Sequence, residues 1–310
     1  IKIRNCVVAN CTASQGSALF LRNYPGGKMN VEVENCIFHN NSVLHADSAT
    51  VAAVGENVTL TLNHCLIRGN VGYGVMALRQ AKVNVKNTAL HANINYGSNI
   101  GSSNLKITDL TATESVPDSK VVTFLTSTDG TIEVADGASS ANNMMDLGVS
   151  SNTDIATSKF SYHSSFTSTY PKFVNPTSNI GVNKEGDVTM YGGDPNWMPT
   201  NTNPMVNAAN ETGSSATDPG FGKDITTNIY RNYGGAADIG AVENHNDVAE
   251  GDTSNEDVEG GYMPPYGKVI YVRDYRNPDG TIDYDRDGDG SSWQNAINGN
   301  LEIDKYKNNH

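Results

Sequence analysis

Long apolar runs are missing from this 310-residue chain. No stretch approaches the about 20 residues of a membrane-spanning helix, so the sequence carries no transmembrane segment. Basic residues are few, 21 Lys and Arg against 34 Asp and Glu, for a formal net charge of -13. That balance excludes nucleic acid as a general partner, because a phosphate backbone is bound by a basic surface, whereas it favours solubility and the binding of cations. Cysteine is sparse as well. Cys6, Cys11, Cys36 and Cys65 do not form the disulfide framework of a small secreted domain. No signal peptide is visible, but Ile1 already lies inside a repeating pattern. The natural start of the protein is therefore expected upstream, and the missing leader excludes nothing.

What the chain has in abundance is one phrase, used five times: apolar, any, apolar, any, polar turn residue, small or apolar residue, any, apolar. The copies are Ile1, Ile3, Asn5, Cys6, Val8; Val31, Val33, Asn35, Cys36, Phe38; Leu60, Leu62, His64, Cys65, Ile67; Val83, Val85, Asn87, Thr88, Leu90; and Leu105, Ile107, Asp109, Leu110, Ala112. Their turn residues are spaced by 30, 29, 23 and 22 positions, the range in which self-similarity signals a solenoid. Period-two alternation makes each half-phrase a strand with one buried face, and the polar residue between the halves marks a bend. A further apolar stretch at Ala18 to Leu21, Thr50 to Val54, Val75 to Leu78 and Val121 to Phe124 supplies a third strand per turn. Three strands per turn describe a parallel β-helix. Its register is tested by charge: Lys2 should stack on Glu32 and Arg4 on Glu34.

In this register Cys6, Cys36 and Cys65 share one inward row, which Thr88 and Leu110 continue. Neighbouring turns are about 4.8 Å apart, near but not at disulfide geometry, and the row reads as buried reduced thiols acting as small hydrophobes. Cys11 stands at the position of Asn41, Asn70 and Asn93 in later turns, where asparagine is expected to bond the backbone at a corner.

After about residue 135 the repeat dissolves into a stretch rich in Ser, Thr, Asn, Gly and Pro, with short apolar islands. It is too long for an unstructured loop and reads as irregular structure capping the solenoid's C-terminal end, whose open strand edges need cover. Residues 244–262 follow, with Asp247, Glu250, Asp252, Glu256, Asp257 and Glu259 and almost nothing apolar, an acidic linker.

The run Pro171, Lys172, Phe173, Val174, Asn175, Pro176, then Asn203, Pro204, Met205, Val206, Asn207, then Tyr230, Arg231, Asn232, Tyr233, Gly234, Gly235 and Asp238, Ile239, Gly240, Ala241, Val242, Glu243 resembles the C-terminal end of bacterial right-handed β-helix proteins of the choice-of-anchor Q type. The Asp-Ile-Gly-Ala-aromatic-Glu ending is the most specific piece, and Val242 stands where that family has an aromatic. The resemblance covers residues 1–243 and implies a right-handed, pectate-lyase-like solenoid on a secreted or surface-anchored protein, commonly from Bacteroidetes. It implies no one activity. The tail, from Lys268 to Val272 and from Gly290 to Ile297, is similar to the opening of another β-helix module, with Ser292 capping a short helix whose Trp293, Ile297 and Leu301 share a face. The expected fold is all-β: a right-handed parallel β-helix solenoid with an irregular C-terminal cap over 1–243, the acidic linker over 244–262, and the start of a second β-helix-like module over 263–310.

Two sets of residues carry candidate chemistry. Asp283, Asp285, Asp287 and Asp289, around Gly288, bring carboxylate oxygens to one point as a hard cation such as calcium requires. The position of the last ligand in an EF-hand loop is here Gln294, so the alternative is an acidic surface turn. His39, Arg68 and His91 form a row three residues after the small position, expected to be exposed and to bind an anionic glycan or else to be a solvated edge. A lyase on this scaffold would need clustered acidic calcium ligands with an Arg or Lys base, and a hydrolase would need paired carboxylates. The repeat's acidic residues are sparse, and His45 beside Asp47 identifies nothing alone. No catalytic residue is assigned. The sequence points to a structural, adhesive or glycan-binding protein of the bacterial cell surface or exterior, with a polysaccharide lyase or glycoside hydrolase as one alternative. The other is a subunit of a head-to-tail filament, since Ile1 opens in mid-repeat and leaves an apolar edge for another surface protein or a second copy.

Overall fold

Alternation in the first phrase of each turn produces a strand, the next residue bends the chain, and a second strand leaves at a new angle. The computed structural model describes residues 1–23, 26–98, 121–127, 129–134, 143–145, 173–175, 180–182, 196–201, 203, 205–209, 224–225, 237–244, 272–273 and 297–298. The chain forms two units, Ile1–Gly261 and Tyr262–His310. In the first, turn one holds β1 (Lys2–Arg4), β2 (Val7–Ala9), β3 (Thr12–Ala13) and β4 (Leu19–Arg22). Turn two holds β5 (Met29–Glu34), β6 (Ile37–His39), β7 (Ser42–Val43) and β8 (Ala49–Val54). Turn three holds β9 (Val58–Asn63), β10 (Leu66–Arg68) and β11 (Tyr73–Leu78), and turn four β12 (Lys82–Lys86), β13 (Ala89–His91) and β14 (Phe124–Thr126). A fifth begins with β15 (Thr131–Val134) and β16 (Met144–Met145).

Each strand pairs in parallel with its counterpart one turn away, giving three sheets that wall a prism: β1-β5-β9-β12-β15, β2-β6-β10-β13-β16 and β4-β8-β11-β14. We call them the first, second and third walls. Val33, Leu62 and Val85 from the first wall, Phe38, Ile67 and Leu90 from the second, and Val51, Val75 and Phe124 from the third meet in one interior core with Cys36 and Cys65. The charge test of register holds, with Lys2 Nζ 3.1 Å from Glu32 Oε2 and Arg4 bonded to Glu34.

The bends are made by residues in the left-handed region. Asn5, Asn35, His64 and Asn87 sit between first and second walls with φ of 54°, 58°, 48° and 49°, a conformation that asparagine tolerates better than most residues. One corner later Asn41, Asn70 and Asn93 are buried and stacked. Asn70 Oδ1 accepts from the Asn41 amide (2.9 Å), while Asn70 Nδ2 donates to Phe38 O (3.1 Å) and Asn93 Oδ1 (2.8 Å). Cys11, at the same position, gives its amide to Asn41 Oδ1 (3.0 Å). The ladder satisfies backbone groups that the corner removes from the strands.

Three expectations change. The fifth phrase, Leu105 to Ala112, lies outside the described residues, and the strand beside Val83 and Val85 is β15, with Ile132 and Val134 facing inward. Leu110, the expected continuation of the cysteine row, lies outside the described residues as well; Thr88 gives its amide to Asn143 Oδ1 (3.0 Å). Second, described parts of the cap lie along a wall of the solenoid. Phe173, Trp197, Met205, Ile225, Ile239 and Val242 pack on Ile37, Leu66, Ala89 and Met144, the outward apolar row of the second wall. They include the antiparallel pair β17 (Phe173–Asn175) and β18 (Asn196–Pro199). Third, in the second unit Ile297 belongs to an extended segment, β20 (Ile297–Asn298), paired in parallel with β19 (Val272–Arg273), rather than to a helix. Ser292, Trp293 and Leu301 lie outside the described residues. Among the described residues no helix is long and apolar enough to cross a membrane.

Candidate functional site

His39, Arg68 and His91 end β6, β10 and β13, and the parallel register sets Arg68 directly between the two histidines. The sequence reading of a single row is correct. Its exposure is not: the three side chains are 2%, 1% and 0% exposed. They face outward from the second wall, alongside the apolar row that the cap covers, and the cap covers them too.

The cover is aromatic. The Arg68 guanidinium carbon lies 5.3 Å from the Phe173 ring centroid and 5.2 Å from that of Trp197, within cation–π range for both. The Trp197 ring meets Phe173 edge-on at 5.6 Å and His39 at 4.9 Å. Arg68 Nε donates to His91 Nδ1 (3.2 Å), so that nitrogen carries no proton. His39 Nδ1 is 2.7 Å from Asn40 Oδ1 and donates to it. Burial pushes the His39 pKa from 6.5 down to about 4, with the Arg68 charge acting in the same direction and the Asn40 bond opposing. His39 is therefore neutral near pH 7. A buried row of this kind offers no path to a polymeric ligand; its chemistry is adhesion between cap and wall.

A second group of buried polar residues, which the sequence reading took only as a family signature, holds the cap's last segment. Asp238 accepts from the amides of Asn207 (2.7 Å) and Asn244 (2.6 Å). Both oxygens of Glu243 accept from the Asp238 amide (3.1 Å each), and Asp224 Oδ2 accepts from the Glu243 amide (3.1 Å). Each carboxylate thus neutralises backbone donors that have no strand to join. The segment docks on the solenoid's first corner: Gly240 gives its amide to Asn87 O (2.9 Å), and His64 Nδ1 lies 3.2 Å from Asp238 O. Gly240 has φ +101°, and a Cβ there would lie 3.0 Å from Met205 Cε, which accounts for the glycine. Val242, which stands where the resembled proteins have an aromatic, is buried in the same layer.

Among the described residues no group of three or more His, Cys, Asp or Glu is placed to hold a metal ion. Asp283, Asp285, Asp287 and Asp289 lie outside them. His45 and Asp47 are exposed before β8.

The model of the right-handed β-helix region family matches residues 1–142, the span of the stacked turns. With the parallel walls, that match defines an all-β right-handed parallel β-helix. No curated protein and no solved structure matches the chain.

Proposed function

We propose that the protein is a non-catalytic β-helix module, secreted or displayed on a bacterial cell surface and related to the choice-of-anchor Q proteins, with a structural role and a contact face for glycans or other surface proteins. The observation that carries this reading is the fate of the candidate row. Its two histidines and arginine are consumed in seating the cap, whereas the outward face of the first wall is polar and open. There Lys2, Glu32, Thr61, Asn84 and Glu133 follow one another across five strands, all at least partly exposed. Such a face offers hydrogen-bond donors and acceptors at the strand spacing of about 4.8 Å, suited to hydroxyl-rich chains.

The test is incubation with a panel of plant and host glycans, with binding and product release followed in parallel. Binding without turnover, abolished by Thr61→Arg with Asn84→Arg, is the expected result. Turnover would replace this reading by the polysaccharide-active enzyme. A second reading, self-association, is favoured by apolar exposure on the sides of the first two turns, where Leu44 is 50% exposed beside Val7 and Phe20. Light scattering that grows with concentration, and falls on Val7→Lys, would support it; a concentration-independent monomer would exclude it for this chain.

A further inference from the structure

We propose that the outward face of the first wall docks a second copy of this chain, the two walls meeting with antiparallel solenoid axes about a two-fold axis that crosses turn three. This names the partner of the contact face read above, and it rests on that reading. The parallel register sorts the charges of the wall by turn. Turn one presents Lys2 and Arg4, turn two Glu32 and Glu34, turn three only uncharged residues centred on Thr61, turn four Lys82 and Lys86, and turn five Glu133. Along the solenoid axis the sign therefore runs plus, minus, none, plus, minus.

That order of signs is complementary to its own reverse. When a second copy is turned over about an axis parallel to the strands, turn one meets turn five, turn two meets turn four, and turn three meets itself. Each residue keeps its position along the strand, so Lys2 meets Glu133 of the second copy and Glu34 meets its Lys86, while Glu32 faces its Asn84 between Lys82 and Lys86. The other two-fold arrangement, with parallel solenoid axes, sets each turn on its own copy. Lys2 would then meet Lys2 and Glu32 meet Glu32, and like charges in contact suppress that pairing. Within each wall the charged side chains are already held in place, Lys2 Nζ 3.1 Å from Glu32 Oε2 and Lys82 Nζ 2.9 Å from Glu133 Oε2.

Net charge selects this face as well. Lys2, Arg4, Lys82 and Lys86 stand against Glu32, Glu34 and Glu133, a net of +1 on a chain whose formal charge is -13. Two copies therefore approach here without the acid surplus that the rest of the chain carries, and that surplus is screened beyond about 8 Å in physiological salt. Size sets the strength. Five strands, about 4.8 Å apart and about 16 Å long, cover roughly 400 Å², half of the about 800 Å² per partner in a standard interface. The pair is thus weak and reversible, forms at high protein concentration, and closes at two copies because the contact is isologous.

The test is sedimentation equilibrium of the full chain from micromolar to millimolar concentration, with a monomer–dimer equilibrium expected. Lys2→Glu with Lys82→Glu sets carboxylates against Glu133 and beside Glu32; Glu32→Lys with Glu133→Lys sets ammonium groups against Lys2 and beside Lys82. Each double variant should weaken the dimer by about tenfold or more and keep its thermal transition, because exposed ion pairs carry little stability. An equimolar mixture of the two restores opposite signs and should dimerise. Val7→Lys, on the second wall, should change nothing. Orientation is read by disulfide linking in a Cys11→Ser background: Thr61→Cys, on the axis, should link to its own kind, whereas Asn84→Cys, which meets turn two, should not. Equal linking at both positions, growth beyond dimers, or association that Val7→Lys removes and the charge variants leave intact would each overturn the proposal. A monomer at every concentration would overturn it too. If that monomer binds a glycan of the panel and loses it on Thr61→Arg with Asn84→Arg, the contact-face reading stands without the dimer; if it binds none, both fall.

Discussion

Acid should loosen the cap through His39. In the folded chain its pKa is about 4, and the ordinary value is 6.5, so the unfolded state takes up the proton first. Above pH 6.5 both states are neutral and stability is at its full value. Between 6.5 and 4 it falls by about 1.4 kcal/mol per pH unit, and below 4 it levels off. The total is about 3 kcal/mol, a large part of the stability of an ordinary domain. The cost falls where His39 touches Trp197 and Arg68, since a second positive charge there has no water and a cation as its neighbour. The assay is urea denaturation from pH 7.5 to 4, read by the fluorescence of Trp197 in a Trp293→Phe background, which leaves one tryptophan. His39→Gln removes the titration and leaves the other buried histidines and carboxylates in place. The variant's stability should therefore fall less steeply over this window, the two curves closing by about 3 kcal/mol. Parallel curves, or a wild-type advantage that grows as pH falls, would refute the argument.

Other positions give simpler tests. Asn70→Ala removes the acceptor of the Asn41 amide and two donated bonds, and should cost about 3 kcal/mol in equilibrium denaturation, where Asn30→Ala on the exposed face costs little. Val33→Asp places a charge at a fully buried site and should cost roughly 3 kcal/mol or more, read as loss of the cooperative thermal transition. Gly240→Ala should cost about 2 kcal/mol through its φ of +101° and show as faster hydrogen exchange at the Gly240 amide, with the amides of Val33 and Leu62 unchanged. For the tail we propose weak calcium binding by Asp283, Asp285, Asp287 and Asp289: calorimetry should give heat with this chain and none with Asp285→Ala, Asp287→Ala, while equal, absent heats for both would leave an acidic turn.

Much of the solenoid was legible because burial there has period two. The inward residues, the charge pairs on Lys2 and Arg4, the left-handed corners and the asparagine ladder all follow from the alternation and the residue between its halves. The fifth turn was misplaced because four alternating residues fit either Leu105 to Ala112 or Thr131 to Val134. Strand order separates them: each turn must visit the third wall before returning to the first, and Phe124 precedes only the later candidate. The burial of His39, Arg68 and His91 was also within reach. Ile37 beside Phe38, Leu66 beside Ile67 and Ala89 beside Leu90 put apolar residues on both faces of one wall, the pattern of a sheet covered on both sides. What covers it could not be read, because the cap has no period, and its contacts join residues more than a hundred positions apart.

The lateral position of the cap sets an order of events during synthesis. The second wall is complete through His91 long before Trp197 exists, and the docking segment at Asp238 to Glu243 comes later still. At about 5 to 20 residues per second, the face holding Ile37, Leu66 and Arg68 stands bare for on the order of ten seconds on the nascent chain. During that interval it offers a sticky surface to neighbouring polypeptides. A chaperone that meets the nascent chain thus meets a stripe, at Ile37, Leu66 and Arg68, that the folded molecule buries.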